Sequence, residues 1–243
     1  MTRAGFKVMS FDCYGTLIDW ESGILAALRP LAHRTGITLD GEAILARFAA
    51  HESAQQAATP DMRYAELLSV VHARLAGAWD APDDKAENAR FGASIGDWPA
   101  FPDTVAALRA LQQRYRLVIL SNVDRLSFRA TNQRLGVTFD AIYTAQDIGS
   151  YKPDPRNFTY LIERLAEDGF QKSDILHVAQ SLYHDHAPAN ALGLASAWID
   201  RRHGATGWGA TAPPPRGVRY DFCFRSLAEL ADAAQPGGAI AGT

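Results

Sequence analysis

Apolar residues in this chain fall into two kinds of run. Short unbroken ones cover 6–11, 117–120, 141–144, 175–178 and 195–199. That is the pattern of strands buried on both faces of a parallel sheet. Between most of them the apolar positions recur at helical spacing. Pro102 and Asp103 open one such stretch, with Val105, Leu108 and Leu111 on one face, and 157–165 is another. Strands alternating with helices predict an α/β fold, a Rossmann-like doubly wound parallel sheet.

One interval breaks the alternation. From Trp20 to the low nineties the pattern is helical throughout, at 24–31, 43–58, 64–79 and 83–91, with no strand-like run. This predicts an all-helical cap subdomain, 20–96, inserted between the first and second strands. The core would then comprise 1–19 and 97–234. Trp98-Pro99-Ala100-Phe101-Pro102 reads as a rigid re-entry, and the Gly/Ala-rich stretch 235–243 as a flexible tail.

Composition narrows the function without naming it. The 243 residues are 47% hydrophobic and 21% charged, ordinary values for a water-soluble fold. A net charge of -3 offers no global basic face, so no nucleic-acid partner is expected. No apolar run is long enough for a membrane span, and the first residues carry no signal-peptide core. The two cysteines, Cys13 and Cys223, suggest neither a disulfide framework nor a zinc site, so a cytoplasmic setting is expected. Strand alternation points Cys13 away from Asp12, as a packed core thiol.

The chemistry sits where strands end. In an open α/β sheet the crevice lies beyond the carboxyl ends of the strands. Asp12 follows the first strand, and Ser121 and Asn122 follow the second. Lys152 lies in "SYKPDP", past the third, and "AQSLYHD" at 179–185 follows the fourth and ends on Asp185. Four strand ends thus present a carboxylate, a hydroxyl with an amide, an ammonium and a second carboxylate.

These motifs, "DCYGT", "LSN", "YKPDP" and "AQSLYHD", resemble those of the haloacid dehalogenase superfamily along the whole chain, and more closely its type II 2-haloacid dehalogenase branch. The resemblance implies that Asp12 is a nucleophile forming a covalent ester, with Lys152 as its compensating charge. It implies that Ser121 and Asn122 donate hydrogen bonds to substrate oxygens and that Thr16 braces the Asp12 turn. Gly15 would let the backbone turn there. Asp185 would pair with Lys152 and help activate the hydrolytic water. It implies a small carboxylic-acid substrate and admits a homodimer. A cap arginine accepts the leaving halide in that branch, and Arg47 stands at the matching place. Glu52, Gln55, Gln56, Arg63 and Tyr64 are further cap candidates. Were Glu52 to face the pocket, the substrate would carry a positive or hydrogen-bond-donating group.

Two positions bear on the leaving group. Phosphatases of this superfamily carry a second aspartate two residues after the nucleophile, which protonates a departing alkoxide. Here that position is Tyr14. Gln180 stands where metal-dependent members carry an acid, and Mg²⁺ favours charged oxygen ligands. No cofactor is therefore expected. A weak Mg²⁺ would fall to Asp12, the Tyr14 backbone and Asp185. The chain also departs from the dehalogenase pattern, with Phe158 where those enzymes have an aromatic hydroxyl and with Gln180, Ser181, Leu182, Tyr183 and His184 in the last motif. Phe158, Gln180, Tyr14 and His184 are expected to contact substrate. His184 is also a candidate second base, whereas His186 reads as helix surface.

The leading expectation is hydrolysis of a 2-haloalkanoic acid to a 2-hydroxy acid through an aspartyl ester. The alternatives are a Mg²⁺-dependent phosphatase, a catalytically weak binding protein, and hydrolysis of a strained-ring carboxylic acid by the same ester chemistry.

Overall fold

The computed structural model describes residues 5–235. The 235–243 tail lies outside that range apart from Gln235. Strand β1 (Val8–Phe11) leads into helices α1 (Trp20–Arg34), α2 (Gly41–Ala58), α3 (Tyr64–Ala78) and α4 (Lys85–Ala93), and then a 3₁₀ turn, Ser94–Asp97. The chain continues through α5 (Thr104–Leu111), β2 (Arg116–Ser121), α6 (Arg125–Leu135), β3 (Ala141–Thr144), α7 (Ala145–Ile148), α8 (Arg156–Glu167) and β4 (Ile175–Ala179). A π-turn, Leu182–His186, precedes α9 (Ala187–Ala191), β5 (Ala195–Ile199), β6 (Phe222–Phe224) and α10 (Leu227–Ala233).

All strands are parallel, in the order β3-β2-β1-β4-β5-β6. β1 lies between β2 and β4, so the direction of winding reverses beside it and a crevice opens at its carboxyl end. Asp12 is the first residue past β1, and its N–H still donates to Val178 O of β4 at 3.1 Å. The nucleophile candidate thus sits at the topological switch, on backbone tied into the sheet.

The five strands expected from apolar runs are all present, and a sixth joins them. β6 is three residues on the outer edge, too short for a periodic signal. β3 occupies the other edge, which is why Ile142 is 40% exposed although a doubly buried strand was expected there. α1 begins earlier than the apolar pattern because Asp19 caps it, accepting from the Ser22 N–H and hydroxyl. Asp40 and Asp84 cap α2 and α4 in the same way.

The cap helices pack on the sheet through a continuous apolar core. It runs from Met9 and Phe11 through Ile24, Leu28, Phe48, Leu67 and Leu68 to Trp98. α1 meets the re-entry segment at Gly23, where a Cβ would lie 2.3 Å from the Trp98 ring. Trp98 is itself 2% exposed, so neither partner can yield and only glycine fits. Arg202, in the loop after β5, forms ion pairs with Glu21 of α1 and Glu42 of α2 and so ties core to cap. Among the described residues no helix is long and apolar enough to cross a membrane.

Candidate active site

The floor of the site is organised by one ammonium. Lys152 Nζ donates to Asp12 Oδ1 at 2.9 Å, Asp185 Oδ1 at 2.6 Å and the Leu120 carbonyl at 2.9 Å. An ammonium has three protons, and all are spent. Lys152 is 1% exposed. Its backbone is clamped by Asn122, whose Nδ2 donates to Lys152 O at 3.0 Å and whose Oδ1 accepts from Lys152 N–H at 2.7 Å. Asn122 therefore splints the lysine with Oδ1 and one Nδ2 proton. It also lines the cavity, where its second Nδ2 proton is left as a donor.

Thr16 holds the other side of Asp12. Its hydroxyl donates to Asp12 Oδ2 at 2.7 Å and accepts from Gln180 N–H at 2.9 Å. The turn between Asp12 and Thr16 needs Gly15, which has φ 92°. Ser121 Oγ is buried without a partner, a hydroxyl free for a ligand.

The second carboxylate has a support the sequence reading missed. His177, inside β4, donates from Nε2 to Asp185 Oδ1 at 2.9 Å, and its Nδ1 accepts from Ser10 Oγ of β1 at 2.9 Å. The signal was a histidine in the middle of the apolar run 175–178. Burial works against charge on Asp185, but the Lys152 ammonium and the His177 N–H outweigh it and hold the carboxyl well below the usual carboxylate range. Burial pushes Asp12 upward, and Lys152 and Thr16 offset part of that. Burial also opposes the charge on Lys152, but the two carboxylates raise its pKa, so it stays an ammonium.

The π-turn aims the remaining polar groups. Ser181 caps it, accepting from His184 N–H at 3.0 Å, and extra turns of this kind recur at functional sites. His184 Nδ1 lies 3.2 Å from Ser181 Oγ and 3.3 Å from Thr211 Oγ1. Its Nε2 and Asp185 Oδ2 are buried without partners beside the cavity. Burial lowers the His184 pKa to about 4, so the ring is neutral. His186 is fully buried between Ser196 Oγ and Ala179 O, and so is not helix surface.

The roof comes from the cap and the Asp12 loop: Tyr14, Trp20, Glu52, Gln56 and Tyr64. The Tyr14 hydroxyl is paired with Thr131 Oγ1 of α6 at 2.8 Å, and its ring packs edge-on against Trp98. Tyr14 therefore offers the cavity a ring wall. Glu52 is 2% exposed and accepts a short hydrogen bond from the Tyr64 hydroxyl. Burial pushes its carboxyl up to about 7, against the pull of that bond.

Three residues expected at the substrate do not line the cavity over Asp12. Arg47 is exposed and does not line the cavity over Asp12. The buried face of α2 runs through Ile44, Phe48, Glu52 and Gln56, and Arg47 lies off it. Phe158 is fully buried in the core behind the sheet, edge-on to His177 at 4.9 Å. Gln180 lines the adjacent cavity with Tyr183 and Trp198, and its carbonyl accepts from Trp198 Nε1. Cys13 is fully buried, as expected.

The fit to Mg²⁺ is poor. Among the described residues no three His, Cys, Asp or Glu side chains converge as a ligand set. Asp12 and Asp185 already share the Lys152 ammonium.

Residues 6–193 match the model of the haloacid dehalogenase-like hydrolases. An (S)-2-haloacid dehalogenase of Pseudomonas fluorescens is 32% identical over 108 residues, 43% of this chain and 46% of that protein. The matched stretch thus spans just under half of that relative. (S)-2-haloacid dehalogenase 4A of Burkholderia cepacia is 26% identical over 79% of this chain and 82% of its own. The L-2-haloacid dehalogenase of Xanthobacter autotrophicus, solved with chloropropionic acid covalently bound, superposes with a TM-score of 0.75 at 20% identity, covering 94% of this chain and 98% of that one. With the model matched over most of its length, the chain belongs to the haloacid dehalogenase-like hydrolases.

Proposed function

We propose that this chain hydrolyses a small 2-haloalkanoic acid to the 2-hydroxy acid through an ester on Asp12. The observation that carries the reading is the shared ammonium. Lys152 holds Asp12 Oδ1 while Thr16 holds Oδ2, so one carboxylate is fixed and partly neutralised at the mouth of the crevice. The Xanthobacter enzyme, with chloropropionic acid covalently bound, supports the substrate class.

The reaction has two steps. The substrate carboxylate is received by Ser121 Oγ, a free donor of the floor. Asp12 attacks carbon 2 from the side opposite the halogen. The carbon–halogen bond breaks, and halide departs with its electron pair. Water then attacks the Asp12 acyl carbon, and Asp185 Oδ2 takes its proton while His184 Nε2 orients it. The bond from the acyl carbon to the product oxygen breaks, and that oxygen takes the proton from Asp185. Asp12 returns to a carboxylate by releasing a proton to solvent. Only one displacement occurs at carbon 2, so its configuration inverts. The helical cap, 20–96 in this reading, excludes bulk water during the ester stage. We place the reaction in the cytoplasm, in keeping with the two free cysteines, and without a metal.

Halide release from (S)-2-chloropropionate and chloroacetate, with and without EDTA, tests the proposal. Chloride that survives EDTA and vanishes in Asp12→Asn supports it. Mg²⁺-dependent release of phosphate from p-nitrophenyl phosphate, with no chloride, replaces it with the phosphatase reading.

A further inference from the structure

Tyr14 removes the acid that a phosphatase of this architecture would place beside the nucleophile, which restricts the floor to leaving groups that need no proton. The roof alters that restriction. Glu52 projects from α2 into the same cavity as Asp12. It continues the buried stripe Ile44–Phe48, so an apolar helix face turns acidic where it passes over the site. Buried carboxylates are normally matched by a cation. Among the described residues Glu52 has none. Its hydrogen bond is from Tyr64, to Oε1, and Oε2 has no partner among the described residues.

Resting on the Asp12 ester reading, we propose that Glu52 is a catalytic acid that protonates the leaving atom. The site would then open strained three-membered rings, an oxirane- or aziridine-2-carboxylate, as well as expel halide.

The step balances without a co-reactant. Asp12 forms the bond to carbon 2. The ring bond from carbon 2 to oxygen or nitrogen breaks, and that atom takes the electron pair and the Glu52 proton. The heteroatom stays tethered through carbon 3, so nothing departs. Water then hydrolyses the ester at the Asp12 acyl carbon, and the proton it releases restores Glu52. The net change is addition of water across the ring bond, giving 2,3-dihydroxypropanoate or 3-amino-2-hydroxypropanoate.

Burial leaves Glu52 partly protonated near neutrality. From α3 it faces Tyr64, from the Lys152 loop Tyr151, and from the β1 loop Tyr14, all with pKa values raised by burial and so neutral. Across the cavity stand Asp12, Asp185 and neutral His184, with Lys152 already committed to the two carboxylates. Among the described residues no free cation faces Glu52 to favour its ionised form.

The test compares two substrates in one enzyme. Wild type and Glu52→Gln are assayed with oxirane-2-carboxylate and with (S)-2-chloropropionate, after thermal melting confirms that the variant is folded. General acids contribute about 10²- to 10⁴-fold. Ring opening should therefore fall at least about 100-fold in the variant, and chloride release by far less. Equal losses on both substrates would overturn the proposal and make Glu52 a packing residue. Wild type inert toward the ring but releasing chloride would overturn it alone and leave the dehalogenase reading standing. Ring opening without chloride release would do the reverse. Tyr64→Phe supplies a second readout. Removing the bond that lowers the Glu52 pKa should move the alkaline limb of the ring-opening pH profile upward, and an unmoved limb counts against the acid.

Discussion

The two sides of the cavity treat charge in opposite ways. On the floor every ionised atom in contact with Lys152 has a named partner, and His177 adds another. In the roof one carboxyl, Glu52, has a phenol for company and, among the described residues, no cation. The floor can hold Asp12 ionised in a dry site because Lys152 and Thr16 both bond its carboxylate. The roof holds a group close to the point of gaining or losing a proton. Fixed charge and exchangeable proton are kept on different structural units, the sheet and the cap.

The largest effect should come from breaking the floor. Lys152→Met leaves two buried carboxylates without their cation. Removing one partner of a buried network costs about 3–5 kcal/mol, readable by urea unfolding at pH 7, and activity should vanish with it. A smaller loss would mean that water reaches the floor.

pH should pull the two sides apart. The Asp185 carboxyl is depressed in the fold, so its contribution to stability is complete above about pH 4 and is lost as pH falls through its folded value. Glu52 is raised to about 7, so the sign reverses. Its contribution is most favourable below about pH 4.5 and is lost as pH rises through 7. Against Glu52→Gln, the wild type should lose about 3 kcal/mol between pH 4.5 and pH 8. Denaturant melts at both pH values give the difference, and a flat difference would mean that Glu52 is already ionised in the acid range.

His177→Leu should cost less than Lys152→Met, about 1.5–3 kcal/mol for a hydrogen bond to a charged group. An equal cost would make the histidine, and not the lysine, the principal support of Asp185. Arg47→Ala should do least. The residue is exposed and stands off the cavity, so stability should move by less than about 0.5 kcal/mol. Chloride release should persist, and its loss would bring Arg47 back to the site.

The same division governed what could be read from the chain. Asp12, Ser121, Lys152 and Asp185 each follow a strand, and strand ends in a parallel sheet are fixed by the pattern of apolar runs. Their convergence was legible for that reason. His177 was hidden because a polar residue within an apolar strand looks like core until its partners on β1 and the π-turn are known. Arg47 and Phe158 failed differently. Both were placed by resemblance, and a helix face is decided by local packing: here Ile44, Phe48 and Glu52 turn inward and carry Arg47 off the site. Glu52 stood among the cap candidates, but whether it faced the pocket depended on the rotation of α2, which its weakly segregated polar and apolar positions leave open. β6 escaped because three residues carry no period.

The shared ammonium also sets the order of events. While Asp12 is free, Lys152 stands between two negative charges. In the proposed reaction the ester removes the Asp12 charge, and the same ammonium then faces Asp185 alone. The floor thus goes from one excess negative charge to neutrality without any residue changing place. In that proposal an anionic acid enters against one excess negative charge, and the esterified floor presents none to the water that follows. One lysine and two aspartates would thereby act as a charge gauge that reads whether the nucleophile has been used.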